Sequence, residues 1–225
     1  MYWVLNKTFK MINALKTTAI SFFIFLNLCF SQEKKAKDVT FKIVDKVLKN
    51  NTCAKLLISN NSSYNYYLPI LNSPDSETWN FILPSDETSF FFGHVIVYNF
   101  KNENLSWQSN NCLDGDLEAI WRSYEEKWMQ KKNNIKIEDF ILLKAGERKV
   151  INVPINLKVK LSNDCLWEIK DYKKEKELKV TYYYRKKQAE WTSLFLDSQI
   201  LKKLQELNYK LYNLEIESNR VKLIL

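Results

Sequence analysis

Beyond residue 38, apolar and polar positions alternate along most of the chain, and this period of two predicts half-buried β-strands. Clusters of asparagine, serine and glycine separate the alternating runs, as turns between strands require. Roughly eight to ten short strands are predicted in this way. Their main apolar runs cover residues 39–43, 54–58, 64–70, 90–100, 140–143, 151–157, 178–184, 214–216 and 221–225.

Three of these runs support more specific expectations. Pro69 lacks an amide donor, so its strand is predicted to lie at a sheet edge. The run 90–100 is apolar on both faces, which predicts a central strand covered on both sides. Residues 144–147 contain a glycine between two alternating runs, so 140–143 and 151–157 are predicted to form a hairpin.

Two segments, 116–132 and 197–207, follow helical rather than strand spacing. Asp116 can cap the first helix, and Asp197 or Ser198 can cap the second. Their apolar faces are made of Leu117, Ile120, Trp121, Tyr124 and Trp128 in the first helix, and of Ile200, Leu201, Leu204 and Leu207 in the second. Because strands and helices do not alternate, a parallel βαβ architecture is disfavoured. We therefore expect a mainly β fold, namely a two-sheet immunoglobulin-like sandwich with about two helical insertions and a polar loop at 101–115.

The first 31 residues follow a different pattern, because an apolar run of 14 residues, 17–30, is preceded by lysines and no acidic residue. A membrane-spanning helix needs about 20 residues, so the run predicts a secretory signal peptide that is cleaved after Ser31. Translation from Met1 or from Met11 would both give such a signal. The alternatives are an uncleaved N-terminal anchor and a lipoprotein attached through Cys29.

Cleavage would leave a charged tether at 32–37 and a single β-rich domain at 38–225, with no transmembrane span. The richness in lysine, asparagine and isoleucine resembles that of exported proteins from AT-rich bacteria. We expect an exported protein in the periplasm, on the outer surface or in the medium. The formal net charge is +8, and the three lysines of the leader account for part of it. The remaining charge of +5 is mild and specifies no partner, and export argues against nucleic acid.

Three cysteines remain after the leader: Cys53, Cys112 and Cys165. Disulfides persist outside the cytoplasm, so one bridge with any of three pairings is expected, and the alternative is three buried thiols. One histidine, His94, and three scattered cysteines make a poor zinc site. His94 is expected to be a satisfied core residue rather than a base beside a cysteine.

The chain has only three glycines, which excludes phosphate-cradling loops, the dinucleotide fingerprint and the nucleophile elbow. Asp114 and Asp116 flank Gly115 and could bind calcium, but capping of a helix explains them equally well. Glu125 and Glu126 follow on the same predicted helix. We therefore expect no metal, no cofactor and no catalytic site.

Basic and aromatic residues interleave towards the end of the chain, and this segment holds the candidate ligand-binding residues. On an exposed sheet, Tyr183, Arg185, Lys187 and Trp191 could stack against sugar rings or meet anionic envelope polymers, and Trp107 is a further aromatic candidate. In the alternative interpretation the segment is an ordinary strand with a solvated, lysine-rich end.

In that alternative, Tyr182 and Tyr184 pack in the core, while Lys179, Thr181 and Arg185 face outward.

The leader and the missing catalytic signatures favour an exported, non-catalytic binding or structural module of the bacterial cell envelope, whose partner is an unknown envelope protein or glycan. The alternatives are a secreted carboxylate-dependent hydrolase and a glycan-binding module. Fold alone does not separate them, since one scaffold hosts unrelated activities.

Overall fold

The computed structural model describes residues 37–71, 94–113, 115, 118–119, 122, 126, 130, 134–160, 164–175, 177–186, 189–190 and 196–225. The chain divides into two units, Met1–Lys37 and Asp38–Leu225, and the description below concerns the second. The fold is mainly β, as the alternation predicts. Among the described residues, no helix has both the length and the apolar character that a membrane crossing needs.

Fourteen strands lie within the described residues. They are β1 (Val39–Ile43), β2 (Val47–Lys49), β3 (Thr52–Asn60), β4 (Asn65–Leu71), β5 (His94–Tyr98), β6 (Trp107–Asn110), β7 (Phe140–Leu143), β8 (Arg148–Ile155), β9 (Lys158–Lys160), β10 (Leu166–Ile169), β11 (Leu178–Tyr184), β12 (Tyr209–Leu211), β13 (Ile216–Glu217) and β14 (Val221–Ile224). Helix α1 spans Ser198–Glu206, and two 3₁₀ turns span Ile137–Asp139 and Tyr172–Lys174.

The strands form four sheets rather than two. Sheet A has the order β1-β3-β8, and sheet B has the order β13-β11-β14-β2 with β5 paired to the other edge of β11. Sheet C has the order β12-β4-β7, and sheet D has the order β6-β10-β9. The pairs β2–β14 and β4–β12 are parallel, while the other pairs are antiparallel.

Sheets A and B pack their alternating apolar faces against each other. The Tyr182 hydroxyl on β11 donates to the Val153 carbonyl oxygen on β8 at 3.3 Å. The rings of Phe41 and Tyr184 meet edge to face at 6.4 Å. Each such large apolar side chain contributes about 1.5–3 kcal/mol by leaving water, so the alternation read from the sequence also defines the core.

The predicted hairpin between β7 and β8 is wrong. β7 pairs with β4 in sheet C, and β8 pairs with β3 in sheet A. The turn at 144–147 is present, since the Glu147 amide donates to the Lys144 carbonyl oxygen at 3.0 Å and Gly146 has φ +71°. Alternation identifies strands but not their partners, and here the turn carries the chain from one sheet to another.

The connection from β3 to β4 crosses between sheets A and C at the same corner. Asn60, only 1% exposed, donates from Nδ2 to the carbonyl oxygens of Tyr64 at 2.7 Å and Lys144 at 2.8 Å. Its Oδ1 accepts from the Ser62 amide at 3.1 Å. One buried carboxamide therefore fixes both crossings.

The expectation that Pro69 marks an edge strand is also wrong, because β4 lies between β12 and β7. The register of β4 against β7 shifts between Leu68 and Leu71, and Pro69 falls inside that irregularity. Its missing amide donor therefore coincides with an interruption of the hydrogen-bond ladder, which is the other setting that tolerates proline.

Two further expectations differ from the structure. Within the described ranges, β11 is the named strand that pairs with β5, and an isolated bridge joins Tyr98 to Asn104. Ile96 and Tyr98 on the other face of β5 stay half-buried, so the predicted central strand with cover on both sides is not found there, and residues 90–93 of the run lie outside the described residues. The segment 101–115, predicted as a loop, contains β6. Polar residues dominate β6, so it carries little of the apolar signal on which the prediction relied.

Helix α1 confirms the second predicted helix. Asp197 Oδ1 accepts from the Gln199 amide at 2.6 Å, and Leu204 is 1% exposed. In the first predicted helix, residues 118–119, 122, 126 and 130 are helical and exposed, while its apolar face lies outside the described residues. Leu204 joins a small core with residues of sheet C, which places the end of α1 beside β4; its other buried members are Tyr67, Ile135, Ile137, Phe140 and Leu196.

Candidate functional site

The residues predicted to bind a ligand do not form one surface. Tyr183 lies on β11 in sheet B with Arg185 just beyond the strand, and both side chains are half-buried. Trp107 lies on β6 in sheet D. Lys187 and Trp191 lie outside the described residues, so their place in such a surface stays a prediction.

Tyr183 is engaged by a neighbouring carboxylate. Partial burial and a hydrogen bond to Glu215 raise the pKa of Tyr183 to about 12. The phenol is therefore neutral at physiological pH, and its hydroxyl donor is already used. On the same face of sheet B, the guanidinium of Arg220 stacks 3.8 Å above the ring centroid of Tyr98.

Trp107 is half-buried and packs against neighbouring side chains. Its ring stacks on that of Trp167, with centroids 6.4 Å apart and planes 9° apart, and it lies against the main core. On β11, Tyr182 and Tyr184 are buried, as the interpretation of this segment as an ordinary strand predicts. Thr181 is also fully buried, whereas that interpretation has it facing outward.

Of the three disulfide pairings left open by the sequence, the structure joins Cys112 to Cys165 with a Cα–Cα distance of 4.3 Å. The bridge ties the end of β6 to the start of β10, which pair directly in sheet D. The bridge closes a loop with a sequence separation of 53 residues, which stabilises the folded protein by about 4 kcal/mol in the chain-entropy model. Cys53 is a free, exposed thiol on β3.

The remaining residues considered for chemistry add no site. The backbone of His94 lies in β5, and its side chain lies outside the described residues, as do Asp114, Asp116 and Glu125. Glu126 is exposed. Among the side chains that the structure describes, no three histidine, cysteine, aspartate or glutamate residues converge on a point that could hold a metal ion.

An open groove of about 430 Å³ lies elsewhere, where the turn before β4 meets the connection from α1 to β12. The parallel pairing of β12 with β4, in register Tyr209 to Asn65, brings these two segments together. The groove is lined by Ser63, Tyr64, Asn65, Gln205, Asn208, Tyr209 and Lys210. Sequence reasoning missed it.

Local chemistry fixes both walls of the groove. Asn208 takes a left-handed conformation, φ +57°, and its amide donates to the Gln205 carbonyl oxygen at 2.9 Å, which ends α1. On the opposite wall, Asn65 Oδ1 accepts from the Ala145 amide at 2.9 Å. The buried Asn60 holds the turn that presents Ser63. The walls are therefore set by hydrogen bonds that a ligand need not supply.

An aromatic ring and a cation face each other at the groove. The Lys210 Nζ lies 3.8 Å from the ring centroid of Tyr64, and Tyr64 is 51% exposed. At an exposed site such a contact contributes about 0.5–1 kcal/mol. A ligand can therefore displace Lys210 from the ring at low cost and use either partner.

The described lining of the groove carries one cation and no carboxylate. Burial, followed by the charge of Glu147, raises the pKa of Tyr209, so this phenol stays neutral. Glu147 itself accepts from the Lys144 amide at 2.6 Å. Three carboxamides, a serine hydroxyl and two phenols thus supply neutral donors and acceptors around an aromatic surface.

A second depression, of about 380 Å³, is lined by Gly115, Glu118, Ala119, Arg122 and Glu126. Arg122 already pairs with Glu118 at 2.7 Å on an exposed helical turn. Its described lining offers no aromatic surface, so the groove at Tyr64 is the better candidate for a binding site.

The sequence contains a signal for the groove only in part. The cluster at 60–63 is recognisable as a turn, and the residue that follows it is an aromatic, Tyr64. What the pattern does not reveal is that β12 joins β4 in parallel from a distant part of the chain. No protein-family model, no curated protein and no solved structure matches this chain.

Proposed function

We propose that this protein is an exported, non-catalytic binding module of the bacterial cell envelope, and that the groove at Tyr64 binds a carbohydrate. The observation that carries the proposal is the convergence of an exposed aromatic ring with carboxamide side chains in one preformed cavity. Its volume of about 430 Å³ is that of a small-molecule site.

Carbohydrate fits the groove because a sugar offers both hydroxyl groups and an apolar ring face. Gln205 and Asn208 each carry one amide acceptor and two amide donors, which suits hydroxyls that both donate and accept. Asn65, whose Oδ1 already accepts from the Ala145 amide, adds two amide donors. Tyr64 offers a rigid ring with little side-chain entropy to lose. An apolar ligand would leave these polar groups unpaired, at a cost of about 1–3 kcal/mol each.

The predicted leader supports a location beyond the inner membrane, where envelope glycans are found. The basic start, the short apolar run and the small residues Cys29 and Ser31 at the cut support cleavage of 1–31. Intact-mass measurement of the protein recovered from the periplasm or medium tests this part. A chain that begins at residue 32 is the expected result, and one that retains the leader contradicts it.

For the architecture, we propose that sheets A and B are the two layers of an immunoglobulin-like sandwich. The Ile43 amide donates to Asn219 Oδ1 at 2.7 Å, which joins the layers at one edge, as the core contacts join them inside. The parallel pair β2–β14 departs from the antiparallel immunoglobulin pattern. An experimental structure with the two layers packed face to face at about 10 Å tests the proposal.

Carbohydrate binding is tested by titrating purified protein against a panel of envelope oligosaccharides in a calorimeter. Tyr64→Ala and Gln205→Ala remove groove contacts at exposed positions and leave the fold intact. The control is Tyr183→Ala, which removes the tyrosine predicted from the sequence. Loss of binding in the first two variants alone supports the groove, and loss in Tyr183→Ala alone moves the site to sheet B.

Incubating the purified protein with the same oligosaccharides tests the alternative that it is a hydrolase. The proposal expects each oligosaccharide to be recovered unchanged after prolonged incubation. Shortened products that appear with the purified protein, and disappear with an acid-to-amide variant, would contradict the non-catalytic assignment.

A further inference from the structure

The charges around the groove have an asymmetry that bears on the kind of carbohydrate it takes. Lys210 is the one charged residue of the described lining. Glu206 lies 4.0 Å from Lys202, and the carboxylate of Glu147, which acts on Tyr209 from outside the described lining, accepts from the Lys144 amide. The described lining itself therefore carries one positive charge and no negative charge.

Lys210 is held in a way that leaves its ammonium available. Its described partner is the face of the Tyr64 ring, at 3.8 Å, and it forms no ion pair with the carboxylates that the structure describes. An ammonium has three donors, and a π-face satisfies them poorly. A carboxylate placed in the groove would give Lys210 a charge-assisted hydrogen bond and would free the ring face for a sugar.

We propose that Lys210 is a specificity-determining residue that selects acidic saccharides, whose uronic carboxylate pairs with its ammonium while the sugar ring lies against Tyr64. This inference rests on the proposed carbohydrate function and narrows its ligand class. The contact of Lys210 with the Tyr64 ring then belongs to the unliganded state. Binding of the ligand replaces this weak contact with a stronger one between the ammonium and the carboxylate.

The test uses saccharide pairs that differ only at the carboxyl group. Oligogalacturonate and oligomannuronate are each compared with their methyl-esterified forms, which keep the ring stereochemistry and lose the carboxylate charge. We expect the acidic form to bind about tenfold more tightly at low salt, as one charge-assisted hydrogen bond implies. We also expect the preference to shrink as salt screens the pair.

Variants distinguish the effect of Lys210 on the preference for the acidic saccharide from the effect of the protein's overall positive charge. Lys210→Gln is expected to remove the preference, and Lys210→Arg to retain it. Lys222→Gln makes the same change at an exposed position of β14, which lies in sheet B and outside the described lining of the groove, and is expected to leave the preference unchanged. An equal loss in Lys210→Gln and Lys222→Gln would show non-specific attraction and overturn the inference.

The failures of the two proposals are distinguishable. Equal binding of the acidic and esterified forms, abolished by Tyr64→Ala, overturns the role of Lys210 and leaves the carbohydrate function standing. Absence of binding by every member of the pairs and of the neutral envelope panel, with the protein folded, overturns both.

Discussion

The side-chain amide of Asn60 donates to the main-chain carbonyl oxygen of Lys144 at 2.8 Å and so joins the two points at which the chain crosses between sheets A and C. Asn60 is 1% exposed, and its amide also donates to Tyr64. The same residue therefore fixes the corner of the fold and one wall of the groove.

Replacing Asn60 by alanine should destabilise the protein by about 2–4 kcal/mol, because several buried main-chain groups lose their hydrogen-bond partner at once. Urea unfolding measures the change. Asn61→Ala is the matched control, since Asn61 is the exposed neighbour and should change stability by about 0.5 kcal/mol or less. Equal effects of the two substitutions would contradict the role given to Asn60.

Thr181 and Ser218 form a buried hydroxyl pair, with 2.9 Å between their oxygens, and the Thr181 hydroxyl also lies 2.9 Å from the Ser218 carbonyl oxygen. Thr181→Val keeps the shape and removes the donor, so we expect a loss of about 1–3 kcal/mol. Lys179→Val, on the same face of β11, is the control and should cost less. A neutral Thr181→Val variant would contradict the network.

The bridge between Cys112 and Cys165 should stabilise the folded protein by about 2–5 kcal/mol. The double variant Cys112→Ser/Cys165→Ser should melt at a lower temperature, and reductant should lower the melting temperature of the unaltered protein but not that of the variant. Cys53→Ser removes the exposed free thiol and serves as the control. A fall in melting temperature in Cys53→Ser as large as that in the double variant would contradict this pairing.

The tyrosines predict how stability depends on alkaline pH. The pKa of Tyr183 is raised to about 12, and burial raises the pKa of Tyr182 and Tyr184 well above the ordinary value. Between about pH 10 and 12 the unfolded chain therefore loses phenolic protons that the folded chain keeps. The stability that these tyrosines contribute should be constant below about pH 10 and should be lost as the pH rises through this window.

Denaturant unfolding at a series of pH values measures this dependence, and absorbance at 295 nm follows the phenolates. Tyr183→Phe should reduce the steepness of the decline and remove one group that titrates near 12. Stability that rises between pH 10 and 12, or a Tyr183 that titrates at its ordinary value, would contradict the burial and the Glu215 contact.

The sequence predicts the strands best where the alternation of apolar and polar residues is strong. β1, β3, β11 and β14 lie where the pattern predicts them, because one face of each strand is buried. β9 and β12 were missed, since strands of three residues carry little periodic signal.

Which strands pair with one another could not be predicted from this alternation. β7 and β8 are joined by a good turn and yet belong to different sheets, because Asn60 stabilises a crossing that no local pattern reveals. Thr181 was expected to face outward since it alternates with buried tyrosines. The polar partner that allows its burial, Ser218, lies on another part of the chain.

The candidate site was less predictable than the fold for the same reason. Tyr64 and Lys210 belong to segments far apart in sequence, and the parallel pairing of β4 with β12 alone places them together. The interleaved residues around Tyr183 gave a stronger sequence signal, but Tyr183 is engaged by Glu215.

The central claim is that the groove at Tyr64 and Lys210 is the binding surface. Its most direct test is NMR titration of the isotope-labelled protein with oligogalacturonate and its methyl ester, following the backbone amides. The account predicts shifts concentrated at residues 63–65 and 205–210, larger for the acidic form. Shifts centred on β11 around Tyr183, or none at saturating saccharide, would contradict it.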